Sequence, residues 1–419
     1  MPSLLIKNVL LTNQIVDVLI QDGRFARIGP DIAHEAGEII DGQGKAILPS
    51  LANGHTHAAM SLLRGFADDL ELHVWLQEHI WPLEARLSED DVYIGAKLAC
   101  LEMIKSGTTF FNDMYWHLPG TARAVEEMGL RADLSLVFID FQDSRTADQN
   151  WKKNQELYAA CQAYSDRIRF ALGPHAVYTV SRESLLRLRD FALEKNLLIH
   201  MHCCETQKEV LDAREQFGRP PVAYLHELGL LGPNLCAVHA VWLDQEEVEL
   251  LAASGAKVVH CPSSNMKLCS GGFPYPRLQE AGVCIGLGTD GCSSNNNLDM
   301  FEEMKIASLL AKDRSGDPTA LPAGEVFARA TQQAADIFGL DAGRIEEGRL
   351  ADCILVELNH PRLVPNHHLI SNLVYAANGD CVHTTICNGK VLMHDRVVEG
   401  EAEILAQAKE TAWKLARER

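Results

Sequence analysis

Two short histidine motifs, His55-Thr56-His57 and His200-Met201-His202, together with Glu205, His239 and Asp290, hold most of the chemistry this sequence offers. Side chains two apart on a strand share a face, so each pair presents its imidazoles together. Neutral imidazole is a good ligand for a divalent ion. His55, His57, His202 and Asp290 make an N₃O set suited to one Zn²⁺, with room left for a water. Glu205, three residues beyond His202, can curl over whatever His202 holds, and a carboxylate beside an activated water is a proton carrier in hydrolysis. Each piece alone has a bland reading: core histidines, a helix-capping glutamate, a chance H-x-H. The combination argues for a metal site.

Such residues need a scaffold that brings distant stretches together. Eight apolar runs supply one: the run before His55, then Thr108-Phe111, Ala132-Ile139, Ile168-Leu172, 197–202, Leu235-Val238, Lys257-His260 and Val283-Leu287. Between them lie segments of helical spacing. One opens at a capping box formed by Ser88 and Asp91 and stops at Gly107. Strands alternating with helices predict a (β/α)₈ TIM-type barrel. A doubly wound open sheet is the runner-up, but no glycine-rich nucleotide fingerprint follows the early strands. A barrel carries its active site at the carboxyl ends of its strands. There the sequence has Asn53-Gly54-His55-Thr56-His57, Gly173-Pro174-His175, His202 with Glu205, Val238-His239, and Gly288-Thr289-Asp290-Gly291.

The two ends of the chain read differently. Short alternating strands with a hairpin signal at Asp22-Gly23 precede residue 50, and the pattern returns after Ala351 with a second signal at Asn388-Gly389. These ends predict a small β-sandwich domain built from residues 1–50 plus 346–419, around a catalytic barrel spanning 51–345. The formal charge of −19 argues against nucleic acid or an anionic membrane as partner. No leader pattern or bilayer-length apolar run is visible. Twelve cysteines without a C-x-x-C pair point to reduced thiols in the cytoplasm.

The motifs Gly54-His55-Thr56-His57, His200-x-His202-x-x-Glu205, Val238-His239 and Leu287-Gly288-Thr289-Asp290-Gly291 resemble the amidohydrolase superfamily, in its purine-type deaminase branch. Gly343-Arg344-Ile345-Glu346-Glu347-Gly348-Arg349-Leu350-Ala351-Asp352 resembles the segment where that family leaves the barrel for its sheet domain. Within the branch, the chain is similar to 5-methylthioadenosine/S-adenosylhomocysteine deaminases. Leu63-Arg64-Gly65-Phe66-Ala67-Asp68-Asp69-Leu70, Trp75-Leu76, Pro82-Leu83-Glu84 and Cys261-Pro262-Ser263-Ser264-Asn265-Met266-Lys267-Leu268 carry that likeness.

The resemblance implies hydrolytic deamination of an adenine nucleoside, with Asp290 accepting a proton from the attacking water and Glu205 carrying one to the ring. It implies that His239 orients the attacking oxygen, Glu84 accepts the ribose hydroxyls and His175 contacts the nucleoside. Trp75 either lines the pocket or is an ordinary core tryptophan, and on residue type alone Glu84 reads as an exposed helix carboxylate. No strand end offers the lysine that dinuclear members carbamylate, which favours one metal; the H-x-E and P-C-x-x-C signature of the other zinc deaminases is also missing. Family members that take S-adenosylhomocysteine carry arginines after the third barrel strand. Here that segment offers only Arg145 beside three aspartates, so 5-methylthioadenosine, 5-deoxyadenosine and adenosine fit better. The rival reading is an amidohydrolase acting on a guanine-type base, pterin, cytosine or triazine; a metal-stabilised scaffold without catalysis has no use for Glu205. The resemblance is compatible with a homo-oligomer, though no stretch marks an interface.

Overall fold

In the computed structural model, residues 3–70 and 72–417 are described; residues 1–2, 71 and 418–419 lie outside them. The eight expected strands are all present: Leu51–Thr56, Thr108–Tyr115, Arg131–Phe138, Ile168–Pro174, Ile199–Cys203, Leu235–His239, Lys257–His260 and Ile285–Leu287. They pair in parallel, each beside its neighbour in chain order, which excludes the strand-order reversal of a doubly wound sheet. Side chains sew the last strand to the first. Asn53 donates to Thr289 Oγ1 at 2.7 Å and accepts from the Thr289 amide at 3.0 Å, and the Asp290 amide donates to the His55 carbonyl at 3.0 Å. The strands approach so closely here that a Cβ on Gly288 would lie 2.8 Å from the His55 nitrogen, so only glycine fits.

The capping box at Ser88 and Asp91 forms and opens the helix Glu89–Lys105. Of the helices without a sequence signal, one matters for the site: residues 72–84 are helical with a π-helical stretch, Trp75–Ile80, in the middle. Pro82 reads as a breaker in sequence, but it sits at the start of the segment Trp81–Glu84. A proline there removes an amide from the preceding turn, and π turns are rare features inside α-helices that occur frequently at functional sites.

The two ends of the chain form a separate mixed sheet of eight strands, in which Lys45–Pro49 pairs antiparallel with Cys353–Glu357. Its strands are joined as one hydrogen-bonded sheet around an apolar cluster of its own, including Ile6, Val18, Phe25, Ile47 and Leu355. Both expected hairpin turns have left-handed central residues, Asp22 and Gly23 at φ 50° and 75°, Asn388 and Gly389 at φ 52° and 73°. The final helix, Glu401–Arg417, packs on the barrel rather than on the sheet: Ala408 and Leu415 share a buried cluster with Trp75 and Leu83, and Lys105 bonds Glu401 at 2.8 Å. No helix of the described residues is long and apolar enough to cross a membrane.

One buried ion pair bolts sheet to barrel. Arg131, on the third barrel strand, donates to Asp352 at 2.7 Å with both side chains at most 5% exposed, and also to Asn388 Oδ1 at the tip of the second hairpin. Removing one partner of a buried pair strands the other charge. Asp352→Ala is therefore expected to cost about 3–5 kcal/mol, read as a lowered urea midpoint, and the double change Arg131→Met/Asp352→Leu should recover much of it.

Candidate active site

The carboxyl ends of the barrel strands converge as expected. The ligand atoms of His55, His57 and Asp290 lie within 4.8 Å of one another, as do those of His55, His202 and His239, so His55 belongs to both sets. Asp290 Oδ1 sits 3.2 Å from His55 Nε2 and 3.3 Å from His57 Nε2. His55 Nε2 is fully buried and makes no hydrogen bond. A buried nitrogen left unpaired and aimed at a carboxylate and other imidazoles is what a cation-binding cage presents, and the residues fit a divalent ion.

The outer ring nitrogens explain how the inner ones are aimed. His57 Nδ1 donates to the Met114 carbonyl at 2.6 Å, and His202 Nδ1 to the His175 carbonyl at 2.9 Å. His55 Nδ1 lies 2.8 Å from His200 Nε2. Each bond leaves the Nε2 lone pair pointing inward. Burial, opposed by Asp290, holds His55 down to about 4, and burial with neighbouring imidazoles keeps His202 well below the usual histidine range. For His57 the carboxylate of Asp290 outweighs burial and lifts it to about 9. Asp290 is itself clamped: Ser264 and Ser294 donate to Oδ2 at 2.6 and 3.0 Å, and the Gly291 amide donates to Oδ1 at 2.9 Å. Burial would raise its carboxyl, but His55 and His57 win and hold it well below the usual carboxylate range.

A pocket of about 630 Å³ opens over this cluster, and His57, His202, His239 and Asp290 line it. Glu205, His175, Glu84 and Trp75 line it too. The exposed reading of Glu84 is corrected: the helix over 72–84 turns it inward, it is 8% exposed, and Trp116 Nε1 donates to it at 3.2 Å. Burial pushes its carboxyl up. Trp75 is both buried and pocket-lining, so its two readings coincide. Glu205 Oε2 stands 3.9 Å from His239 Nε2, and burial pushes Glu205 up against the pull of His239. His239 is oriented from behind by Asn265 Oδ1 at 2.9 Å. Burial holds His175 down to about 3, and its Nδ1 lies 3.0 Å from Thr179 Oγ1. Arg145 is exposed and does not line the pocket, and among the described residues no lysine or arginine is in its wall.

Three residues here, Cys204, His239 and Asp290, have left-handed backbones at φ 53°, 71° and 63°. Such conformations cost of order 1–3 kcal/mol each and persist where the surroundings impose them. Glu209 does so for the loop after the fifth strand: its carboxylate accepts from the amides of Cys204 and Glu205 at 3.0 and 2.8 Å. Sequence reasoning missed it, although Thr206-x-x-Glu209 has capping-box spacing. Ser264 and His200 were missed as positioning groups because nothing local marks a contact between elements, and Ser294, four residues past Asp290, was missed although it is near in the chain. Tyr178 and Trp116 also join the pocket wall without a sequence signal.

Residues 46–392 match the amidohydrolase family. The chain is 48% identical over 392 residues to the 5'-deoxyadenosine deaminase of Methanothermobacter thermautotrophicus, covering 93% of this chain and 91% of that one. It is 47% identical over 420 residues to 5-methylthioadenosine/S-adenosylhomocysteine deaminase 1 of Archaeoglobus fulgidus, covering 98% and 99%. An adenosine deaminase from Xanthomonas campestris, solved with bound zinc, has a TM-score of 0.94 at 36% identity, covering 99% of this chain and 98% of that one. On these matches, and on a barrel whose histidines and aspartate meet where the motifs require, the chain belongs to the amidohydrolase family.

Proposed function

We propose that this enzyme hydrolyses the 6-amino group of an adenine nucleoside, giving the inosine-type product and ammonia. One observation carries the reading: a cage of imidazoles and Asp290 forms the floor of a pocket whose wall holds two carboxylates, the half-buried Glu205 and the buried Glu84. His55, His57, His202 and Asp290 would hold one divalent ion, Zn²⁺ by the borderline character of the donor set and by likeness to the zinc-bound relative. When bound, such an ion supplies the Lewis acidity that makes water a nucleophile at neutral pH.

The chain's own residues do the rest. Asp290, fixed by Ser264 and Ser294, accepts the proton of the water that attacks C6. Glu205, whose burial favours its protonated form, gives a proton to N1 and then assists departure of ammonia. His239 donates through Nδ1 to Asn265, which leaves Nε2 toward the reacting oxygen. Glu84 accepts from the ribose hydroxyls, and neutral His175 contacts the nucleoside. The twelve unpaired cysteines fit a cytoplasmic setting.

The wall also bears on the group at the 5-position. Leu72, Leu76, Trp81, Val137 and Ile139 are apolar, and among the described residues of the wall no guanidinium or ammonium is present to take a carboxylate. 5-Deoxyadenosine and 5-methylthioadenosine are therefore expected to exceed S-adenosylhomocysteine by at least about tenfold in kcat/KM, since one unmade charge-assisted bond is worth about 1.5–3 kcal/mol. Ultraviolet absorbance of these three nucleosides and adenosine side by side reads this directly. Silence on all of them, with turnover of free guanine-type bases, pterins, cytosine or triazines, would move the reaction to that class. Glu209→Ala should lower kcat about 10²-fold by releasing the loop that carries Glu205, and Glu209→Gln should recover part of the loss through its amide oxygen; steady-state kinetics with circular dichroism as the folding control checks this.

A further inference from the structure

Outside the barrel, the terminal sheet carries a second cluster of metal-ligating groups. His383 lies on the strand Val382–Cys387, and His394 and Asp395 lie in the turn after the strand Lys390–Met393. Their ligand atoms fall within 4.8 Å of one another, with His383 Nε2 at 2.5 Å and His394 Nε2 at 3.8 Å from the Asp395 carboxylate. The rings stand nearly perpendicular, at 78°, with centroids 5.3 Å apart.

The site is braced on two sides. The fully buried hydroxyl of Thr384 lies 2.8 Å from His383 Nδ1 and 3.0 Å from His394 Nδ1. A hydroxyl oxygen has two lone pairs and can accept from both Nδ1–H groups, which frees both Nε2 lone pairs on the Asp395 side. This is the support that metal-bound imidazoles ordinarily have. The turn holding Asp395 is equally constrained. Asp395 and Arg396 are both left-handed, at φ 49° and 61°. The Arg396 amide donates to the His383 carbonyl at 3.1 Å, and its guanidinium donates to the carbonyls of Gly379 and Val382 at 2.8 and 2.9 Å. Lys45, a cationic side chain close enough to act on His383, sits opposite Glu357 in the strand register and gives its ammonium to the carbonyls of Asp41 and Gln43 at 3.5 and 3.4 Å.

We propose that His383, His394 and Asp395 form a second site for a borderline divalent cation such as Zn²⁺ or Cu²⁺, with Thr384 as the residue that positions both imidazoles. The N₂O set leaves a position for water and suits these ions better than Mg²⁺ or Ca²⁺, which prefer oxygen ligands. Ligands at about 2.0–2.1 Å from a tetrahedral ion lie roughly 3.3 Å apart, so the contact of 2.5 Å opens on binding. Asp395, 69% exposed, is free to swing by that amount. The ion staples the last turn to the strand before it, away from the catalytic pocket.

The test uses enzyme whose barrel site already holds one Zn²⁺ per chain, titrated with further Zn²⁺ by calorimetry and equilibrium dialysis. Two ions per chain are expected for the unaltered enzyme. His394→Gln and Asp395→Asn should each lose the second equivalent, and Thr384→Val should weaken it by about ten- to a hundredfold with the three ligands still present. Deaminase turnover should stay unchanged in all three variants. Saturation at one ion per chain in the unaltered enzyme, or a second equivalent undiminished in every variant, overturns the site. Because the readout is stoichiometry rather than turnover, it stands or falls separately from the proposed reaction.

Discussion

Glu205→Gln is expected to lower kcat on 5-deoxyadenosine by about 10⁴-fold while the barrel site keeps its metal ion. The glutamine keeps the shape of the side chain and its place in the pocket wall, but it can neither hold nor release the proton. General acid–base groups contribute about 10²–10⁴-fold, and the upper end is expected because the same carboxyl serves both N1 and the departing ammonia. Glu205 faces His239 across 3.9 Å and receives a bond from Ser270 at 3.4 Å, so the change touches few other contacts. Single-turnover absorbance with metal analysis of the same sample is the measurement. A loss below tenfold with metal retained would transfer the proton role elsewhere, and His239 would be the first residue to try.

The second large effect is at Asp290. Asp290→Asn should abolish detectable turnover and strip the metal on dialysis, two readings of one cause. One carboxylate oxygen faces His55 and His57 and takes the Gly291 amide, while the other takes the hydroxyls of Ser264 and Ser294. The two serine hydroxyls and the Gly291 amide each need an acceptor. An amide must turn its NH₂ either toward the two serine hydroxyls or toward the Gly291 amide, and in both orientations a buried contact loses its partner. Losing the anion also leaves the imidazoles without a counter-charge. Calorimetric Zn²⁺ titration of the apo variant reads the affinity directly. If the variant binds as many ions as the unaltered enzyme, with unaltered affinity, and has only lost turnover, Asp290 is a proton acceptor and not a ligand.

Much of this arrangement is legible before any coordinates. Strand and helix periods are local, so the eight strands could be numbered from apolar runs. The position of each His or Asp at a strand end then follows from counting residues. The two hairpins are equally local, since Asp-Gly and Asn-Gly tolerate the positive φ their turns adopt. The ligand candidates His55, His57, His202 and Asp290 and the proton carrier Glu205 belong to this class. In each case the signal lies within a few residues of the group itself.

What the sequence alone determined is therefore the order of elements and the side chains they deliver to one end of the barrel. Only the tertiary structure decided how those side chains are held. Glu84 turned from a surface carboxylate into a buried one because the helix over 72–84 folds across the pocket, an outcome no local pattern encodes. His200 behind His55, Ser264 behind Asp290, and Asn265 behind His239 act over separations of 26 to 145 residues. The last helix reads as part of the sheet segment, yet it packs on the barrel through Ala408 and Leu415. The physical reason is common to all of these. Backbone period and turn chemistry are properties of neighbours in the chain, whereas burial, hydrogen-bond partners and the aim of a lone pair depend on what the rest of the chain brings alongside.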